Sequence, residues 1–185
     1  DAEAVMRTLL HARSEIVIHQ LTDLPDRFTP DRMTEIVTRN ARIRDEGTHN
    51  LMAAARAAGV ARVIAQSIAF AYAPGPQPFR ERDALNTDDH GNAGVTARGV
   101  ASLEAQVLAG PWRGLVLRYG RLYGPGAPGT APPPALHIDV AANVARRAVT
   151  HGDAGIYNVA KDDGFADLSR TRGMFGAEAL AASPD

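Results

Sequence analysis

Two rhythms of apolar and polar positions alternate along the chain. Val5, Leu9 and Ala12 recur at helical spacing, so residues 2–13 are expected to form an amphipathic helix. "EIVIHQL" (15–21) is instead a short β-branched run and reads as a buried strand. "LTDLPDRFTPDR" interrupts the pattern, with Pro25 and Pro30 as breakers. Helical spacing returns from about Asp31 to Ala58, with Thr29 as N-cap and Pro30 at the first helical position. Met33, Ile36 and Val37 form one face there, and Ile43, Leu51, Ala54, Ala55 and Ala58 a second after Asn40. Gly59 stands where a C′ glycine ends a helix.

"VARVIAQS" predicts the second strand, which runs apolar and then stops on Ser67. Residues 74–94 are too polar and too rich in Pro and Gly for a core element, and read as a long surface loop of the kind that often carries function. Residues 95–109 return to helix and "GLVLRYG" (114–120) to strand, whereas "GPGAPGTAPPPA" (124–135) has little regular structure. "IDVAANVARRAVTHG" predicts a helix started by an Asp, "GIYNVA" a fourth strand, and the tail from Asp167 a weak helix. Strands alternating with helices imply an α/β fold, a mostly parallel sheet with helices on both faces. Ligands in such sheets sit beyond the carboxyl ends of the strands. The tips to inspect are therefore Gln20–Thr22, Ser67–Tyr72, Tyr119–Arg121 and the residues after Ala160.

Composition narrows the classes. The 185 residues suffice for one well-buried domain, and 45% apolar with 22% charged residues is a soluble globular composition. A net charge of −1 gives no electrostatic reason to expect nucleic acid or an anionic membrane as partner. The absence of cysteine excludes disulfides and Cys-ligated metal sites. No apolar run is long enough to cross a bilayer, and "DAEAVMRTLLHARSE" has no signal-peptide core, so a cytoplasmic location is expected. The six histidines show no H-E-x-x-H spacing, so no metal site is expected. His19, at the end of a buried strand, reads as a hydrogen-bonded core histidine. Lys161 is the single lysine, so any mechanism that needs a lysine has one candidate.

Five collinear motifs carry a resemblance. "VIHQLTD" (17–23) resembles a V-x-H-x-A-A strand end, and "GTHNLMAAARAAGVARVIAQS" (47–67) resembles G-T-x-N-L-L-x-A-A followed by a glycine and a strand ending in serine. "LRYGRLYGPG" (117–126) resembles L-R-x-x-x-V-Y-G-P-G, while "HIDVAANV" and "GIYNVA" resemble a late D-V-A helix and Y-N-V strand. Together, nearly end to end, they resemble the extended short-chain dehydrogenase/reductases, the NAD-dependent epimerase/dehydratase family. The resemblance implies the C-terminal part of a doubly wound, Rossmann-like parallel sheet. It implies a partial nucleotide-binding domain over residues 1–123 and a small loop-rich substrate lobe over 124–185, with helix 138–151 returning to the first part. It also implies NAD or NADP as cofactor and a small-molecule substrate, a nucleotide-sugar among the family's choices.

Two departures change what the resemblance allows. The family opens on a strand and a G-x-x-G-x-x-G turn that cradles the cofactor pyrophosphate. Neither "HGNAG" nor "GPGAPG" follows a strand and opens a helix as that turn must, so residue 1 is expected to enter just before the family's fourth strand. The family also uses a Ser with a helical Tyr-x-x-x-Lys pair. Ser67 matches the serine, but Y-x-x-x-K-x-x-x-E falls on "TARGVASLE", with Thr96 at the tyrosine, Val100 at the lysine and Glu104 matching. A threonine is too weak an acid for that role and valine carries no charge, so the helix is expected to present both to the cleft as an inactive remnant. "YNVAK" holds Tyr157 and Lys161 at the right spacing, but on a strand four residues span ~13 Å, against ~6 Å on a helix.

The remaining candidates come from the same resemblance. Leu21 and Thr22 match small residues lying against the adenosine half of the cofactor, and bulkier side chains leave less room there. Tyr119 and Gly120, at the third strand tip, join the cofactor contacts. Tyr72, Arg121 and His137 form the substrate set. Tyr72 reads either as a replacement acid or as an aromatic lid on the sheet edge, and Arg121 either as a bidentate clamp for carboxylate or phosphate or as a solvated strand-end arginine. Two functions stay open: an atypical NAD(P)-dependent epimerase/dehydratase-like chain, truncated and weakly active or inactive by itself, and a non-catalytic ligand-binding or regulatory relative. The strand at 15–21 lacks the neighbour it would have in the family, so self-association through its bare edge is expected.

Overall fold

The computed structural model describes residues 1–25 and 29–181; part of the expected turn segment and the end of the tail lie outside them. A parallel sheet holds β1 (Ile16–His19), β2 (Arg62–Ile68), β3 (Arg113–Tyr119) and β6 (Gly155–Val159), in the order β1-β2-β3-β6. Its register sets Val17 beside Val63, Ile64 beside Leu115 and Leu117 beside Tyr157. The central strands β2 and β3 read as nearly continuous apolar runs because both of their faces are covered, whereas β1 buries only Val17 and His19. On one face α1 (Ala2–Ala12), α3 (Thr48–Ala57) and α4 (Asn92–Leu108) enclose Val17, Met52, Val63, Ala65, Leu103, Val107, Trp112 and Val116. On the other, α5 (Ile138–Thr150) and α6 (Ser169–Phe175) close over Ile64, Leu115, Leu117, Val140, Val144, Tyr157 and Phe175.

The helix expected over 31–58 is three pieces. A 3-10 turn at Pro30–Arg32 leads into α2 (Met33–Arg42), and a π-helical turn at Ile43–Gly47 joins α2 to α3. The N–H of Gly59 bonds the Arg56 carbonyl and that of Val60 the Ala55 carbonyl, a Schellman stop that needs the positive φ of Gly59, 70°. The helix α4 starts three residues earlier than expected, at Asn92.

Residues 124–181 contribute both to the main sheet and to the segment outside it. β6 pairs in parallel with β3, because its apolar positions complete the second core; α6 packs on β6 and α5 on β2 and β3. What lies outside the main sheet is a two-stranded parallel ribbon, β4 (Arg121–Tyr123) and β5 (Ala135–His137), together with the loop between them. β1 is an edge strand, with Ile18 49% exposed and Ile16 37%. Among the described residues no helix is long and apolar enough to cross a membrane.

Candidate active site

The parallel arrangement brings three strand ends to one edge, and the register aligns Ser67, Arg118 and Asn158 across β2, β3 and β6. Ser67 and Arg118 share one buried carboxylate, and Asn158 has a separate set of buried partners. The Ser67 hydroxyl donates to Glu104 Oε1 at 2.7 Å, and the Arg118 guanidinium donates to both oxygens of the same carboxylate, at 2.8 and 2.6 Å. Arg118 also reaches the Glu81 carbonyl at 3.1 Å. The Tyr72 hydroxyl donates to Asn158 Oδ1 at 2.7 Å, and the Asn158 amide donates to the Phe79 carbonyl. The Tyr72 ring stacks on Phe79, centroids 4.9 Å apart, with the Arg118 guanidinium 4.9 Å from its centre.

The electrostatics follow from burial. Desolvation works against the Arg118 charge, and the Glu104 carboxylate more than offsets it, holding the guanidinium protonated well above its ordinary range. Burial pushes the Tyr72 phenol up, and the pull of Arg118 in the other direction is the smaller effect. A phenol shifted upward with its proton committed to Asn158 is a poor acid, so the geometry favours the aromatic-lid role for Tyr72 over the replacement acid. Ser67 likewise spends its one hydrogen on Glu104.

The expectation that α4 presents Thr96 and Val100 to an open cleft needs correction. Val100 is fully buried against Ile68, Ala71 and Leu85, because the chain after β2 folds back and Tyr72 bridges to Leu85. Thr96, one turn earlier, is half-buried. An apolar side chain at this position is covered by apolar neighbours, which leaves nothing there to converge on a substrate. Tyr157 and Lys161 are not brought together either: the Tyr157 hydroxyl donates to the Asp153 carbonyl at 2.8 Å beneath α6, while Lys161 is exposed past the end of β6.

The residues carried over as cofactor contacts divide. Leu21 borders a cavity of about 720 Å³ at the end of β1, lined by apolar Val5 and Ile43 and by the charged Asp1, Asp23, Arg39, Arg42 and Glu46. Thr22 donates to Asn40 Oδ1 at 3.0 Å, the Tyr119 hydroxyl donates to the Ala141 carbonyl at 3.0 Å, and the Gly120 N–H bonds Val159. His19 is buried: Nδ1 accepts from the Leu21 N–H at 3.2 Å and Nε2 lies 2.7 Å from the Thr48 hydroxyl. Burial, with Arg44 nearby, lowers its pKa to about 4, so the ring is neutral near pH 7. Among the described residues no glycine-rich turn joins a strand to a helix. The described residues therefore supply no phosphate cradle of the glycine-rich kind.

In the substrate set, Arg121 and His137 lie on the β4–β5 ribbon, away from the buried bonds around Ser67. Arg121 donates to the Pro133 carbonyl at 2.7 Å and lies 4.3 Å from the Phe70 ring centre. His137 caps α5 by accepting the Asp139 N–H at Nδ1, 3.3 Å. Sequence reasoning missed Arg118, Asn158 and Tyr123. An arginine inside an apolar strand run, "VLRY", was the one available signal, since it demands a buried carboxylate.

No protein-family profile matches the chain. It is 41% identical, over 187 aligned residues, to a Streptomyces protein named 3-diazoavenalumate denitrifying reductase; the match covers 88% of this chain and 60% of that protein's length. In three dimensions it is similar to the Bordetella bronchiseptica enzyme WbmG, crystallised with NAD and UDP, with TM-score 0.75 and 17% identity over 95% of this chain and 70% of WbmG. It is similar also to the UDP-glucose 4-epimerase of Thermotoga maritima, crystallised with UDP-glucose, with TM-score 0.73 and 16% identity over 95% and 75%.

Proposed function

We propose that the chain belongs to the extended short-chain dehydrogenase/reductases, the NAD-dependent epimerase/dehydratase family, as its likeness to the Streptomyces reductase and to WbmG supports, and that it forms the substrate-facing part of an NAD(P)-dependent reductase. Its target is a small molecule whose reduction needs no proton donor on the protein. The observation that carries this reading is the replacement of the family's Tyr–Lys pair by Thr96 and the fully buried Val100, with the hydroxyls of Ser67 and Tyr72 committed to Glu104 and Asn158.

A carbonyl substrate would be poorly served by such a site, because the developing alkoxide needs a positioned acid worth about 10²–10⁴ in rate. A carbon bearing a diazonium group has no such need. When hydride forms the new C–H bond, the C–N pair departs with dinitrogen and charge balances without a proton. A bound reduced nicotinamide supplies that hydride. The chain's own residues supply walls and orientation: Leu21 at the dinucleotide side, and the Phe79–Tyr72 stack closing over the strand ends and keeping water out. The 41% identity to a reductase that acts on a diazo compound supports the same choice.

The test is to mix the protein that carries this chain with NADPH and 3-diazoavenalumate. The expected result is NADPH oxidation matched one-to-one by dinitrogen release. Turnover of UDP-glucose with none of the diazo compound would contradict it. A second reading, a non-catalytic binding relative, draws on the same committed hydroxyls and predicts ligand binding with no NADPH oxidation. We also propose that β1 pairs with another polypeptide edge, because it is the terminal strand of the sheet and its outer row of backbone groups is unpaired among the described residues, with exposed Ile16 and Ile18 adding apolar surface beside it. Sedimentation of the isolated chain is expected to show self-association, and an ideal monomer would overturn that expectation.

A further inference from the structure

The β4–β5 ribbon has one apolar and one polar face. Leu122 and Leu136 are register partners and turn toward the core, where Leu136 is fully buried. Tyr123 and His137 are partners on the opposite face, their rings edge-to-face with centroids 5.2 Å apart. Arg121, two residues before Tyr123, projects from that same face at a spacing of about 7 Å. All three side chains are half-buried. The ribbon begins at Gly120, directly after β3, so this face stands beyond the carboxyl end of the sheet, where a parallel fold places its ligands.

Each member offers a hydrogen to a ligand. Because His137 Nδ1 accepts the Asp139 N–H, the neutral ring must carry its proton on Nε2. That nitrogen sits over Gly124, where a Cβ would come within 2.7 Å of it, and Gly124 also has a φ of 113° that disfavours other residues. Only glycine lets the backbone pass this close to the ring. Among the described residues Nε2 has no partner, and neither does the Tyr123 hydroxyl. Arg121 commits Nη1 to the Pro133 carbonyl, while Phe70 supports the flat guanidinium from one side. Burial lowers the Arg121 pKa, a sign that its charge is incompletely solvated and gains from an anion.

We infer that the Arg121–Tyr123–His137 face is an anion subsite that receives the carboxylate of an aromatic or conjugated acid, with Phe70 as the apolar wall beside it. The face carries one permanent cation, and the Asp139 carboxylate stands 3.6 Å from His137 Nδ1 at its margin, which matches a singly charged planar carboxylate better than a diphosphate. Arg121 provides the bidentate fork and the two rings supply single hydrogen bonds. This assignment rests on the reductase reading, whose relative acts on an acid, and names the group by which such a substrate would be held.

The experiment is calorimetric or NMR titration of the chain with trans-cinnamate, its neutral amide cinnamamide, and UDP. Cinnamate is expected to bind at least tenfold tighter than cinnamamide. Arg121→Gln should abolish that preference, and His137→Asn, which preserves the helix cap, should weaken cinnamate binding severalfold. Unchanged thermal melts establish that each variant is folded, and Tyr123→Phe provides a third substitution that removes a hydroxyl alone. Equal binding of cinnamate and cinnamamide, or indifference to Arg121→Gln, would overturn the proposal. So would UDP binding that Arg121→Gln abolishes while cinnamate does not bind, since the ligand group would then be a phosphate. These titrations need no turnover: cinnamate binding without NADPH oxidation would sink the reductase reading and leave the subsite standing.

Discussion

The polar groups at the ends of β2, β3 and β6 and those on the β4–β5 ribbon are opposite in character. Around Ser67, hydroxyl, carboxylate, guanidinium and amide are buried and satisfy one another. On the ribbon, Arg121, Tyr123 and His137 are half-buried and keep donors unspent. The first arrangement fixes the fold by making any partial loss expensive; the second remains available to a ligand. A serine at the end of a strand therefore reports function only when its hydrogen is free.

The contrast is broken most strongly at Glu104. Glu104→Ala would leave Arg118 buried without its counter-charge, and a loss of about 3–5 kcal/mol is expected in urea unfolding. Arg121→Gln on the ribbon should change stability by no more than about 0.5 kcal/mol. Similar losses for the two would erase the distinction.

A second large effect is pH-dependent. His19 has a folded pKa of about 4, below the 6.5 of an exposed histidine, first through burial and then through Arg44. Between those values the unfolded chain binds the extra proton, so stability falls as pH drops through 6.5 toward 4, by about 3 kcal/mol in all. Unfolding free energies from pH 7 to 4 should show this slope, and His19→Asn should flatten it. Ser67→Ala has a smaller expected cost, about 1–2 kcal/mol for the lost buried hydrogen bond, with reduction unaffected.

The two central strands were legible because each is buried on both faces. "RVIAQSI" and "GLVLRY" cannot be mistaken for surface, and the Gly59 stop fixes where α3 ends and β2 begins. Ser67, Arg121 and His137 were visible as residues. Their partners were not, since Ser67 meets Glu104 across 37 positions and Asn158 meets Tyr72 across 86. Those pairings depend on register and on the fold-back of the chain over Val100, neither of which leaves a periodic trace. The ribbon was hidden for a different reason. Three-residue strands flanked by Gly and Pro carry too little alternation to register, so Tyr123 and His137 were not seen as neighbours.

The account turns on whether the strand-end hydroxyls are structural. Tyr72 tests this most directly, as the phenol beside Arg118 and the nearest available substitute for the missing acid. Tyr72→Phe in the protein that carries this chain, followed by NADPH oxidation with 3-diazoavenalumate, is predicted to leave kcat unchanged while lowering stability by about 1 kcal/mol. A fall in kcat of about 10²–10⁴, the usual cost of losing a positioned proton donor, would contradict it.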